Sequence, residues 1–504
     1  MRLGRTTFSI GQFVSVRGPF IIYCLLISLV AFGFALVSTD ISVDEEISSM
    51  LDTVHPGWLS ADRWGMALLN RLLLPGPVIP YFPMILAIVF NIASLLFILN
   101  IWQEEDGSGK YLAAVPVLSL PTIAFIYQFN LCSYGYYLGV LLAVLSIHTF
   151  IRKKGWPGKI WCILLLSLAV SIYQGTIFVA PTVYFIFLFK RTQVHPGVAP
   201  AAENDLFRTI IQFLICFIIA LLVHQGVSLL IRNIQDISIR YHTVDSFFTG
   251  EFLSSYSLIF TIKEMTAFFT GHKFYIGWIN GLLFSSSIIS VLVNIYRSPQ
   301  LLPLKIWHLF LLTAALSSAF MLIIFTGHIW PARAMMAIPF LYGGIIILAI
   351  QNSNRQLQIF LGTLVSISFV FNTYLNTRLF YSDHLAWQQD SGLARDISYR
   401  AEILFGDSLI SEKPTPLVVV GKRRTEKLPA LIRFETFGQS LFEWDNINHH
   451  RIIPVFKLNH IFYFDTPTAS QIEAAAEIAQ DLDTWPSGNS IVFRNGMVIV
   501  KLGN

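Results

Sequence analysis

The chain has 504 residues, 54% hydrophobic and only 13% charged, with a mean hydropathy of +0.62. A water-soluble domain carries about a quarter charged residues, so this composition belongs in a bilayer. The net charge of +4 is spread along the chain and argues for no nucleic-acid partner.

Crossing a membrane takes roughly 20 apolar residues. Segments 19–37, 78–101, 111–127, 132–151, 159–174, 176–189, 209–231, 274–296, 306–326, 334–350 and 357–376 predict about eleven transmembrane helices, a polytopic α-helical membrane protein. The first lacks an A-x-A exit and reads as a retained helix. Arg2, Arg5 and Arg17 precede it, and Lys or Arg recurs in 152–159, 190–196 and 296–305. "YQFN" (127–130) and "YQGT" (173–176) carry neither. The positive-inside rule therefore puts the N-terminus in the cytoplasm and 38–77 outside; "QEEDGSGK" (103–110) falls inside, acids counting little. Cys24, Cys132, Cys162 and Cys216 show no CxxC spacing and read as buried small side chains.

The first outer loop, "STDISVDEEISSMLDTVHPGWLSADRW" (38–64), holds six acids and one Arg. Ser42 and Glu45 have capping-box spacing, and Ile47, Met50, Leu51 and Val54 recur at helical spacing, which predicts a short amphipathic helix on the outer surface. Pro56-Gly57 ends it, and a second helix is expected from Ser60 with Trp64, Ala67, Leu68 and Leu72 on its apolar side. Helix-dipole complementation accounts for Glu45 and Glu46. It does so less well for Asp44, which shares a face with Ile47 and Leu51, and for Asp40 at the membrane exit. An acid aimed toward lipid is costly unless it borders a polar cavity. Asp44, with Asp40 and Glu45 near it, therefore reads as a functional carboxylate roofing a cavity that opens toward the lipid.

Further along, Tyr173 and Gln174 close one span, and "GHIWPARAMM" (327–336) puts His328 and Arg333 at another outer mouth. Tyr173 also suits an interfacial belt. Arg63, Arg71 and Arg333 suit either snorkelling or a lipid phosphate, for which a guanidinium is well shaped. His224 and His308, alone in apolar runs, read as satisfied core histidines. Segment 232–273 is a second long outer loop. From 381 the composition turns soluble: a helix over 383–405, a strand in "PLVVVGK", a helix in "SQIEAAAEIAQDL", and a hairpin about Asn495-Gly496. The expected division is a membrane domain, 1–380, and an extracytoplasmic α/β domain, 381–504. "GSGK" (107–110) lacks the spacing of a nucleotide loop.

The order of an acidic loop, an "RWG" helix, "YQFNLCSYGYYLGVLLAVLSI", "SLAVSIYQGTIFV", "WPARAMM" and the closing "WPSGNSIVFRNGMVIVKLGN" resembles the bacterial serotype-converting O-antigen glucosyltransferases of the Gtr type. Where that family often shows Gly-Arg-Trp, this chain has Asp62-Arg63-Trp64, which alters the charge beside Arg63. The resemblance implies a GT-C fold in the bacterial inner membrane and glucose transfer from a polyprenyl-phosphate-glucose donor to an O-antigen acceptor of lipopolysaccharide at the periplasmic face. It also implies a flippase and a separate carrier-loading glucosyltransferase as functional partners; no cofactor is expected, and the leaving phosphate needs cations to hold it but not necessarily a metal. Asp44 would be the base of an inverting displacement, Glu45 or Asp40 its substitute. Arg63 and Arg333 would bind phosphate, and Trp64, Tyr173, Gln174 and His328 would complete the substrate site. The competing readings are a transporter or flippase of lipid-linked sugars, and a transferase of another hexose or to another envelope polymer.

Overall fold

The computed structural model describes residues 10–503 apart from 39, 51–56, 77–78, 106, 154, 195–200, 237–254, 274, 327–329, 352 and 410–413. The first helix, α1 (Ile10–Val37), leads into a loop that holds two single-turn helices, α2 (Glu45–Ser48) and α3 (Gly57–Ser60), and then α4 (Trp64–Leu73). Next come α5 (Phe82–Trp102), α6 (Gly109–Ser119), the one-turn α7 (Ala124–Tyr127), α8 (Ser133–Arg152), α9 (Trp156–Ile172), α10 (Val179–Val194) and α11 (Ala201–Gln235). The bundle is completed by α12 (Ser255–Phe269), α13 (Gly277–Arg297), α14 (Leu302–Ala319), α15 (Met321–Thr326), α16 (Ile338–Gln351) and the 55-residue α17 (Arg355–Leu409).

Helices occupy all eleven expected segments. Among the described residues seven are long and apolar enough to cross a bilayer, or eight if the pair Gly109–Ser119 and Pro121–Tyr127, bent by 41°, is one span. The bend has a plain cause. Pro121 has no N–H to offer Val117, and the chain turns extended at Leu120. Asn91 Nδ2 donates to the vacated Val117 carbonyl at 3.1 Å, and Asn376 Nδ2 donates to Ser119 O at 2.9 Å. In an apolar surround such freed carbonyls must find a donor.

At one end of the bundle Arg17 pairs with Glu105, and Lys190 with Glu104. The loop after α1 lies at the other end, since α1 runs from Arg17 to Val37 and α10 runs from beside Gln174 down to Lys190. The segment 383–405 is no separate helix. It continues the last span, because no proline interrupts 355–409; the first non-helical residue is Phe405 (φ −136°). The expected boundary at 380 thus falls inside α17.

The chain then forms β1 (Thr415–Val420), α18 (His449–Leu458), β2 (Phe464–Asp465), α19 (Ala469–Ile478), β3 (Ile491–Arg494) and β4 (Met497–Lys501). The sheet order is β2-β1-β4-β3, with β3 and β4 antiparallel and the other pairs parallel. Asn495 and Gly496, both at positive φ (53° and 70°), make the hairpin turn. Strand alternation divides the core. Leu417, Val419, Val498 and Val500 pack with α18 and the end of α17, while Val418 and Ile499 pack with α19.

Candidate active site

The acidic loop is built into the junction between bundle and sheet. Asp44 adopts a left-handed conformation (φ 78°) as the residue that opens α2. Only half of the expected capping box forms: Glu45 Oε2 accepts from Ser42 N at 3.1 Å, but Ser42 Oγ donates to Gln128 O at 2.7 Å. The helix ends at Ser48, and residues 51–56, with Leu51 and Val54, lie outside the described residues. Far from lying on a membrane surface, α2 is buried at Glu45, Glu46 and Ser48. The second expected helix begins at Trp64 and buries Gly65, Met66 and Asn70; its predicted apolar side shows Leu68 and Leu72 outward.

Four of the loop's six acids, Asp40, Asp44, Glu45 and Glu46, have different fates. Glu45 is buried and its carboxylate is occupied by two amides, from Ser42 and from Asn130 at 2.6 Å. Burial pushes its pKa up to about 8, against the pull of both N–H groups. Glu46 is fully buried and bonded to Arg451 of α18; burial raises it to about 7, with Arg451 opposing. Asp40 Oδ1 accepts from His384 Nδ1 at 2.7 Å, and Gln388 Nε2 lies 2.8 Å from the other ring nitrogen. Asp44 Oδ1 is held by Arg451 Nη2 at 2.7 Å, yet its side chain is 45% exposed, the most open carboxylate of the four. It points toward the sheet region, not the lipid. A third carboxylate, Asp445, completes the Arg451 cluster at 2.6 Å. Burial works against the Arg451 charge, but Glu46 and Asp44 more than offset it and its pKa rises.

Beside this loop stand two arginines with no carboxylate partner among the described residues. Arg63 donates to Tyr136 Oη at 3.2 Å and reaches Gln174 Oε1 at 3.4 Å; its guanidinium packs on Tyr173 (4.9 Å) and Trp58 (5.7 Å). Tyr136 and Tyr173 stack at 4.0 Å. Gln174 Nε2 donates to Ala61 O at 2.9 Å, tying the end of α9 to the arginine's own turn. Arg333 lies over Phe129 at 4.9 Å. Gly175 explains how these elements meet, because a Cβ there would sit 2.8 Å from Ala334 O. The charges of Asp44, Arg63 and Arg333 all act on the Cys132 thiol, and those of Arg63, Arg333 and Glu435 act on the Tyr173 phenol. The structure thus gathers Asp44, Arg63, Tyr173, Gln174 and Arg333 in one place.

Other expectations change. Asp62 does not perturb Arg63 by direct contact; it forms a buried pair with Arg232 at 3.6 Å. His328 lies outside the described residues. Trp64 faces His224, rings 6.4 Å apart, away from the Arg63 bonds. His308 is satisfied by Thr192 at 2.9 Å, but among the described residues His224, 3% exposed, has no hydrogen-bond partner at either nitrogen, and the neighbouring Gln225 Oε1 and Ser228 Oγ have none either. His224, Gln225, Gln174, Ser317 and Ser318 line a cavity of about 570 Å³ whose other walls are apolar, among them Phe178, Phe185 and Phe217. Sequence reasoning missed Tyr136, His384, Glu435 and Arg451. Tyr136 lay in an aromatic-rich span and Arg451 400 residues from its partners, so neither carried a local signal.

No curated protein and no solved structure matches the chain. A family model described as glucosyl transferase GtrII matches residues 33–350, which takes in the acidic loop, Arg63, Gln174 and Arg333 and covers well over half of the sequence. The chain belongs to the GtrII glucosyl transferase family.

Proposed function

We propose that this protein is an inverting glucosyltransferase that takes glucose from a polyprenyl-phosphate carrier and gives it to an O-antigen hydroxyl at the periplasmic face of the inner membrane. One observation carries this reading: a half-exposed carboxylate, Asp44, sits in electrostatic reach of Arg63, which has no carboxylate partner among the described residues and bonds Gln174 in the wall of a largely apolar cavity. The cavity suits a prenyl chain. Arg63 and Arg333 suit the phosphate at its head, and the unpaired His224 and Gln225 give that head further polar contacts. The N-terminus is cytoplasmic in this scheme, and the sheet region meets the glycan.

The chemistry follows from charge. The acceptor hydroxyl loses its proton to Asp44 as its oxygen bonds to the anomeric carbon. The anomeric C–O bond to phosphate breaks on the opposite side, inverting the centre, and the electron pair leaves on the lipid phosphate. Arg63 and Arg333 stabilise that growing charge where water is scarce. Glu45 and Glu46 hold the loop's backbone and Arg451 in place. Asp40, bonded to His384, is the substitute base.

The test is expression in cells that lack the enzyme but retain the carrier-loading and flipping steps, with O-antigen sugar analysis. Glucose should appear with the unaltered chain and vanish with Asp44→Asn at equal protein level. Glucosylation that survives Asp44→Asn would move the base to Asp40. A lipid-linked sugar that crosses the membrane with no change in glycan would replace the transferase reading with a flippase.

A further inference from the structure

The end of the bundle opposite the acidic loop holds a second cavity, of about 740 Å³, between α13, α14, the end of α10 and the start of α17. Nothing in the transfer reaction uses it. Its walls divide into two kinds. Ile289 (59% exposed) and Phe360 (47%) make an apolar flank that opens to the surface of the bundle. Gln193, Ser286, Ser290, Asn294 and Arg297 make a polar one.

Two of the polar groups are incomplete. Gln193 Oε1 and Asn294 Nδ2 are buried atoms with no hydrogen-bond partner among the described residues. A buried amide group left unpaired is costly, so two in one cavity wall point to a polar occupant. Arg297, in the last turn of α13, forms no ion pair among the described residues. None of the lining residues is acidic.

We propose that this cavity binds the headgroup of an anionic, hydroxylated glycerophospholipid, of the phosphatidylglycerol type, from the leaflet opposite the active site. Arg297 takes the phosphodiester. The amides and serines take the glycerol hydroxyls, and the Ile289–Phe360 flank takes the acyl chains. A zwitterionic amine headgroup is disfavoured because its ammonium would meet an arginine and no carboxylate. The N-terminal ends of α14 and α17, at Leu302 and Arg355, flank the cavity and add partial positive charge. Free phosphate would leave the apolar flank uncovered.

The experiment uses the full chain purified in detergent, with thermal unfolding and native mass spectrometry after addition of phosphatidylglycerol, phosphatidylethanolamine or polyprenyl phosphate. Phosphatidylglycerol should stay bound and raise the unfolding midpoint. Arg297→Gln, at an exposed position that folding does not depend on, should weaken that binding about tenfold, the loss expected for one charge-assisted contact; Asn294→Leu should weaken it further. Asp44→Asn should bind the lipid as the unaltered chain does, so the result stands apart from the transfer reaction. Equal responses to phosphatidylglycerol and phosphatidylethanolamine, or an Arg297→Gln variant that binds normally, would overturn the proposal. A response to polyprenyl phosphate alone would overturn the choice of lipid.

Discussion

Arg451 Nη2 lies 2.7 Å from Asp44 Oδ1, a bond between residues 407 positions apart that joins the sheet region to the acidic loop. The same guanidinium holds Glu46 and Asp445. Removing one partner of a buried ion pair costs about 3–5 kcal/mol, mostly by stranding the other charge. Arg451→Ala should strand Glu46, lower the unfolding midpoint and reduce transfer. Arg451→Lys, which keeps the charge but not the fork, should restore most of the stability and less of the activity. Thermal unfolding beside a transfer assay reads both.

Asp44→Asn should lower kcat by about 10²–10⁴, the usual yield of a positioned general base, with the unfolding midpoint nearly unchanged because the side chain is half exposed. Single-turnover transfer from a polyprenyl-phosphate-glucose donor measures it.

Glu45 and Glu46 give the loop a pH dependence whose sign is set by their raised pKa values, about 8 and about 7. A carboxyl with a folded pKa above its unfolded one binds more protons when folded between those two values. Its stabilising effect is whole below the unfolded pKa and is lost as pH rises through the folded one. The unfolding midpoint should therefore fall between roughly pH 5 and pH 8, and Glu45→Gln should flatten that slope. A midpoint that rises over this range would show both acids to be ionised in the fold.

Arg63→Ala and Arg333→Ala should each lower kcat/KM for the lipid donor about 10–100-fold, the worth of a charge-assisted contact. Arg63→Lys should recover little, because the aromatic stacking on Tyr173 and the bonds to Tyr136 and Gln174 require the planar group.

His224→Leu replaces an unpaired buried ring by an apolar one of similar size. The unfolding midpoint should hold or rise, while KM for the donor rises; the divergence of the two is the sign of a group kept for binding. Paired assays on one preparation decide it.

Much of this was legible in the sequence, and the reasons are physical. The hairpin at Asn495-Gly496 and the helices in the apolar runs follow from local rules of turn conformation and hydropathy. Arg63, Tyr173, Gln174 and Arg333 drew attention because polar groups at the ends of apolar spans need partners, and in the fold Arg63 does bond Gln174 and pack on Tyr173. The acidic loop was misread as a surface helix because helical spacing cannot tell a helix lying on lipid from one buried under a domain. Arg451, which decides the matter, is far away in sequence. His224 looked like any core histidine; only coordinates show that nothing receives its nitrogens.

The unbroken stretch of α17 from Arg355 to Leu404 spans about 75 Å at 1.5 Å per residue. A shaft of that kind resists bending, and it is pinned near its middle by the Asp40–His384 bond. The sheet region therefore rides on a fixed mast instead of a tether.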